Sequence, residues 1–462
     1  MGITTMVVPK QPCPGSTRRH KMVNKTERYK ELKQATYLSF QHRNKSLASL
    51  QLCNAVTHHL LALETRKRAR KAKDMCAFKL TIELVLAGLI FAKTENESGW
   101  TYRGLGNDTF IGQPIKIDTF KKAIALLETA GYIELEKGSN HSNPFYAQGA
   151  KCNAFLPGLA TRFRATQELL SIALQHGIEE DNYSQYYIRK LPTTVLKKKA
   201  SSTNKNGQKS GGRQMKIDRD ATVLRLEQQV KQINNYLDKQ QLEEAIFCGY
   251  HRVFNMGDSP VFCWNKGGRL SCPGRDSYQR MKKQQRLARV KINGESVAEV
   301  DINASYLSIY HGMLGETLPN REDIYDIPGL HRDIVKAWIT AAFGNNKLPT
   351  RWPSAAKKKL IAKGICMKKL TMTKVGAIVC EHIPIMEQLP SSGITWADLM
   401  YRESCAVIEA MESLRNNYDI PAYSMHDGLM VPMSASDVTT KEIIIAFKDL
   451  GISCRVTVET HE

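Results

Sequence analysis

The stretch "LKKKASSTNKNGQKSGGRQMK", residues 196–216, has almost nothing with which to build a core. Lys, Ser, Gly and Asn fill it, and such a composition buries too little apolar surface to offset the entropy of ordering. A 462-residue chain interrupted there is expected to fold as separate bodies on either side. The expected organisation is a basic helical segment over 1–75, a body over 76–195, a flexible basic linker over 196–218 and a second body over 219–462.

Charge divides along the same line. Residues 1–220 hold 36 Lys and Arg against 18 Asp and Glu, whereas residues 221–462 hold 30 against 27. The front half is therefore expected on a polyanion, with nucleic acid ahead of acidic lipid and a merely soluble basic surface as the bland alternative. Eleven cysteines without framework spacing suit a reduced, cytoplasmic protein. No uninterrupted run of 18 apolar residues occurs, and MGITTMVVPK lacks a signal-type apolar core, so no membrane association is expected.

Residues 76–150 read as a winged helix. "FKLTIELVLAGLIFAK" is an apolar helix, followed by a loop rich in Gly and Asn. A second helix opens at Asp118 as N-cap, repeats apolar residues at Phe120, Ile124 and Leu127, and ends at Gly131. "YIELEKG" then alternates as a strand leading into a polar wing. This pattern can place a helix in a major groove, with Lys121 and Lys122 toward DNA, and it also serves as a protein-binding module. Beyond the linker, residues 220–247 read as a long helix. Leu226, Val230, Ile233 and Leu237 mark one face, for docking or for a coiled coil.

Three segments of the back half carry chemistry. In "VAEVDINASYLSIY", residues 297–310, a strand places Ala298, Val300 and Ile302 on one face and Val297, Glu299 and Asp301 on the other. Asp301 is then a salt-bridge partner or a metal ligand, because an unpaired charge at a core strand's edge is costly. In "IPAYSMHDGLMVP", residues 420–432, Asp-Gly between two apolar stretches signals a hairpin with Asp427 at its tip. Two such aspartates could hold two Mg²⁺ (or Mn²⁺) ions for phosphoryl transfer. In "LHRDIVKAWITAAFGNN", residues 330–346, Arg332, Lys336 and Phe343 project within about 40° of one another on a helix. Cations and a ring on one stripe suit a triphosphate and a base, or an exposed pair over a packed ring. Arg280, Lys282, Lys283 and Arg286 in "RMKKQQRLARVK" are expected to track a duplex backbone, or to be solvated surface. Cys248, His251, Cys263 and Cys272 do not match a usual zinc spacing.

In order and character the three segments resemble motifs A, B and C of the family A DNA polymerases and single-subunit RNA polymerases. The stretch from "HRVFNMGDSP" through "GGRLSC" to "INGESVAEVDINASY" also resembles uncharacterised plasmid or phage proteins. The resemblance covers residues 250–460 and implies an α+β protein: a winged-helix front region joined to a compact palm-and-fingers catalytic domain. It implies metal binding by Asp301 and Asp427, with Ile302 beside them, and nucleotide contacts from Ile302, Tyr306, Phe343 and His426. Lys336 would neutralise the triphosphate and protonate pyrophosphate, with Arg332 beside it. Tyr306, five residues after the motif A aspartate, stands where a bulky ring excludes a 2′-hydroxyl, or is simply a core aromatic. The sequence departs from the pattern in several places: motifs A and B lie close together, and neither a thumb of normal size nor a proofreading exonuclease is expected. Phe343-Gly344 sits one residue closer to Lys336 than in the RNA polymerases, and Gly428 replaces a frequent Glu after His-Asp. The implied activity is template-directed nucleotidyl transfer from nucleoside triphosphates on DNA by a mobile-element DNA polymerase. The alternatives are a primase or small RNA polymerase, or an inactive initiator that only binds DNA.

Overall fold

The computed structural model describes residues 28–66, 68–138, 158–200, 212–274 and 277–461. It is a mixed α+β protein whose chain forms two compact units, Met1–Lys190 and Leu191–Glu462.

The first unit contains β1 (Thr36–Tyr37), α1 (Leu47–Leu63), α2 (Ala72–Glu95), β2 (Thr101–Arg103), α3 (Ile117–Thr129), β3 (Ile133–Glu136) and β4 (Thr161–Ala165). Its sheet runs β1-β2-β4-β3, with β4 antiparallel to both β2 and β3. Helix α2 is long and apolar enough to cross a membrane by length and composition. Its apolar side chains, among them Phe78, Ile82, Val85 and Leu89, are instead enclosed in this unit's core. Helix α3 buries Phe120, Ala123, Ile124 and Leu127 and leaves Lys121 and Lys122 exposed. Lys116 rather than Asp118 is its N-cap; Asp118 lies in the first turn, where a carboxylate meets the helix dipole favourably. Gly131, at φ +73°, closes the helix in the left-handed conformation that glycine adopts without strain. The expected wing, from residue 139 on, lies outside the described residues as far as 157.

The second unit begins ahead of the expected linker. Strand β5 (Thr194–Leu196) runs parallel to β6 (His251–Phe254), and the Met215 N–H donates to the Leu196 carbonyl at 2.8 Å. Leu196 is buried with Leu226 and Phe254. The ends of the segment read as a linker therefore belong to this unit, because Val195 and Leu196 supply enough apolar surface for one strand. Residues 201–211 lie outside the described residues. Helix α4 (Ala221–Leu237) starts at Asp220, whose carboxylate accepts the Val223 N–H at 2.8 Å. It ends at Leu237, well short of 247, and its apolar face is docked on the unit's core.

After β6 come β7 (Gly267–Ser271), α5 (Lys283–Arg289), β8 (Glu295–Ile302), α6 (Ser305–Met313), α7 (Arg332–Asn345), α8 (Ser354–Ala362) and α9 (Met372–His382). The chain finishes with α10 (Trp396–Tyr418), β9 (Tyr423–Ser424), β10 (Gly428–Pro432), α11 (Ser436–Asp449) and β11 (Val456–Glu459). Strand β8 is central in a six-stranded sheet. It pairs antiparallel with β10 on one side, and with β11 and the short strand Lys291–Ile292 on the other. Both of its faces are covered, so the simple in-and-out alternation expected of it fails: Glu299 is buried as fully as Val297.

Candidate active site

The register of two strands brings the acidic residues together. Asp301 lies opposite Gly428, and the Ile302 N–H donates to the Asp427 carbonyl at 3.0 Å. Gly428 is required for that approach. A Cβ there would come within 2.5 Å of the Val300 carbonyl and 2.6 Å of Asp301 Oδ1. The turn itself differs from the expected Asp-Gly tip: its left-handed residue is His426, at φ +72°, and Gly428 already belongs to β10. Glycine here serves packing between strands rather than turn geometry.

Asp301 and Asp427 face a cleft of about 1170 Å³ in the second unit. Ile302 and Tyr306 line it from β8 and α6, and Arg332, Lys336 and Phe343 line it from α7. His426 is exposed at its turn and is not part of the cleft wall. Phe343 is buried against Tyr310 and Tyr306, with ring centroids 5.5 and 6.2 Å away. Arg332 is held by Asp323, and both Arg332 and Lys336 stand over the Tyr325 ring, at 5.4 and 5.9 Å. Lys121 and Lys122 belong to the first unit.

The basic helix before β8 behaves differently from a backbone-tracking stretch. Arg286 is buried and pairs with both carboxylate oxygens of Glu299, at 2.6 and 3.1 Å, so it is withdrawn from any external phosphate. Lys283 places Nζ 2.6 Å from Asp301 Oδ2 and 2.6 Å from Glu459 Oε1. Arg280 and Lys282 alone of the four are exposed. Burial raises the Asp301 pKa, Lys283 opposes that rise, and the charges of Asp427 and Glu459 add to it.

Beside the aspartates lies a group that sequence reasoning missed. Glu403 of α10 is wholly buried and accepts from Arg269 of β7, at 2.5 Å from Nη2 and 2.6 Å from Nε. Its second oxygen accepts from the Ser305 hydroxyl at 2.7 Å. Burial pushes the Glu403 carboxyl up to about 7, against the opposing pull of Arg269. The Arg269 guanidinium lies 5.6 Å from the Tyr306 ring centroid. One signal was available: Glu403 interrupts the apolar face marked by Leu399, Ala406, Ala410 and Leu414. A carboxylate on such a face needs a partner.

Asp301 and Asp427 are the residues that could hold a divalent cation. Lys283 already places a positive charge on Asp301, so the carboxylate end of the cleft is built around cationic charge. Among the described residues no three His, Cys, Asp or Glu side chains gather as a metal site. Mg²⁺ bound between these two would complete its oxygen shell with main-chain carbonyls, water or phosphates. Cys248 and Cys272 bring their sulfurs to 3.8 Å, and Cys263 is exposed. No protein-family model matches the chain, and no curated protein matches it.

Proposed function

We propose that the second unit is a template-directed nucleotidyltransferase, a small DNA polymerase of the family A type. The observation that carries this reading is the convergence of Asp301, Asp427, Lys336, Arg332 and Tyr306 on one cleft from segments far apart in sequence. Asp301 and Asp427 would hold two Mg²⁺ ions, which lower the barrier by activating a primer hydroxyl and stabilising the leaving pyrophosphate. Lys336 and Arg332, poised over Tyr325, would engage the triphosphate, and the Lys336 ammonium would give its proton to the departing pyrophosphate. Phe343 meets the Tyr306 ring edge to face, and the Arg269–Glu403–Ser305 group ties down the start of its helix. A ring held in that way would exclude a ribose 2′-hydroxyl and favour deoxynucleotides. In the first unit, the three antiparallel strands with α1, α2 and α3 support a winged-helix reading, with Lys121 and Lys122 on the exposed face of α3 toward DNA.

The test is Mg²⁺-dependent extension of a labelled primer on a DNA template, with deoxynucleotides and ribonucleotides in parallel. Asp301→Ala and Asp427→Ala are each expected to lower extension at least about 10³-fold, a loss of roughly 4 kcal/mol of transition-state stabilisation. Incorporation of ribonucleotides alone would turn the reading toward a primase or RNA polymerase. No incorporation by the wild type, with specific duplex binding retained, would leave an initiator.

A further inference from the structure

Between Ile334 and Cys380 the sequence contains no Asp or Glu, yet nine Lys and Arg fall between 347 and 374. The connection after α7, helix α8, the loop beyond it and the first turn of α9 carry them, and all nine are exposed. Among the described residues only Lys363 has a carboxylate partner, Asp333 at 2.8 Å. Lys357, Lys358 and Lys359 are consecutive on α8, whose single buried residue is Leu360. At about 100° per residue they fan across more than half of the helix circumference. Neither burial nor internal pairing accounts for these side chains, and their mutual repulsion works against the fold unless an external anion relieves it. Lys347, where this run begins, is itself part of the cleft wall. A lipid surface is the poorer match. Membrane-lying helices set a broad apolar face beside their cations, whereas Ile361 is the one large apolar side chain that α8 exposes.

We propose that residues 347–374 form a docking surface for nucleic acid, holding the sugar–phosphate backbone of a strand on its way into the cleft without reading its bases. Only the strand's destination rests on the proposed polymerase function; phosphate binding requires no catalysis. Five lysines supply the test: 357, 358 and 359 on α8, with 368 and 369 in the loop beyond it. The experiment uses the full chain without nucleoside triphosphates, a fluorescently labelled single strand and a labelled primer–template, and follows anisotropy across a salt series. The combined variant Lys357→Gln, Lys358→Gln and Lys359→Gln is expected to lower affinity at least about 10-fold and to reduce the slope of log K against log salt by about 2. The loop pair Lys368→Gln and Lys369→Gln is expected to act in the same direction, and it decides the matter should the helix variant fail to fold. Unchanged affinity and unchanged salt slope in a folded variant would overturn the proposal. So would a selective loss of binding to phosphatidylserine vesicles with nucleic-acid binding intact. Failure of the wild type to extend a primer would sink the polymerase reading while leaving this binding result to stand by itself.

Discussion

Two stretches of the second unit look alike in sequence and differ in fate. Residues 280–291 and residues 347–374 are both dense in Lys and Arg. In the first, Arg286 and Lys283 turn inward onto Glu299, Asp301 and Glu459, which the neighbouring strands β8 and β11 present. In the second, the run has no acidic residue of its own, and among the described residues Asp333, in the first turn of α7, reaches only Lys363 of the run's nine cations. Density of positive charge in a sequence therefore does not locate a polyanion surface. Whether carboxylates lie within reach after folding decides it.

The comparison breaks most easily at Arg286. Replacing it by Ala strands a buried Glu299, and the chain should lose about 3–5 kcal/mol in urea unfolding. A loss below about 1 kcal/mol would mean that the inward pairing is incidental and that the two stretches are alike after all. A smaller and pH-dependent effect belongs to the other inward pair, Arg269–Glu403. The ordinary value for Glu403 is 4.5 and the folded value is about 7, so the folded chain holds that proton more tightly than the unfolded chain. Its contribution to stability is complete below about pH 4.5 and is lost as pH rises toward 7. Glu403→Gln should flatten the fall of the urea midpoint over that window, and an unchanged profile would remove Glu403 from the account. The least effect on stability is expected from Lys357→Gln, Lys358→Gln and Lys359→Gln. Each should change unfolding free energy by no more than about 0.5 kcal/mol, since exposed side chains without partners stabilise little. A large destabilisation would mean that α8 depends on contacts its exposure does not reveal.

Much of the candidate site was legible because its parts are locally encoded. Asp301 lies next to the end of a strand marked by Ala298, Val300 and Ile302, and Asp427 sits in a short turn between apolar stretches. Arg332 and Lys336 share a helix face by spacing alone. The partners were not legible. Arg269 meets Glu403 across 134 residues, Ser305 meets it across 98, and Lys283 meets Glu459 through the pairing of β11 with β8. Gly428 carried a turn signal that was sound as a location and wrong as a reason, because its constraint comes from Val300 and Asp301 on the adjacent strand. The domain boundary was misplaced for a similar reason. Val195 and Leu196 look negligible beside a polar stretch until β6 gives them a sheet to join.

By itself the sequence determined the division into two bodies, the excess of cations in the front half, and the helices and strands that bear the acidic and basic residues. Each follows from composition or from periodicities of 2 and 3.6 residues, which act over a few neighbours. Only the tertiary structure decided which charges face inward and which face solvent, and that Asp301 and Asp427 share one cleft. Electrostatic pairing depends on distance in space, and strand register between segments more than a hundred residues apart sets that distance.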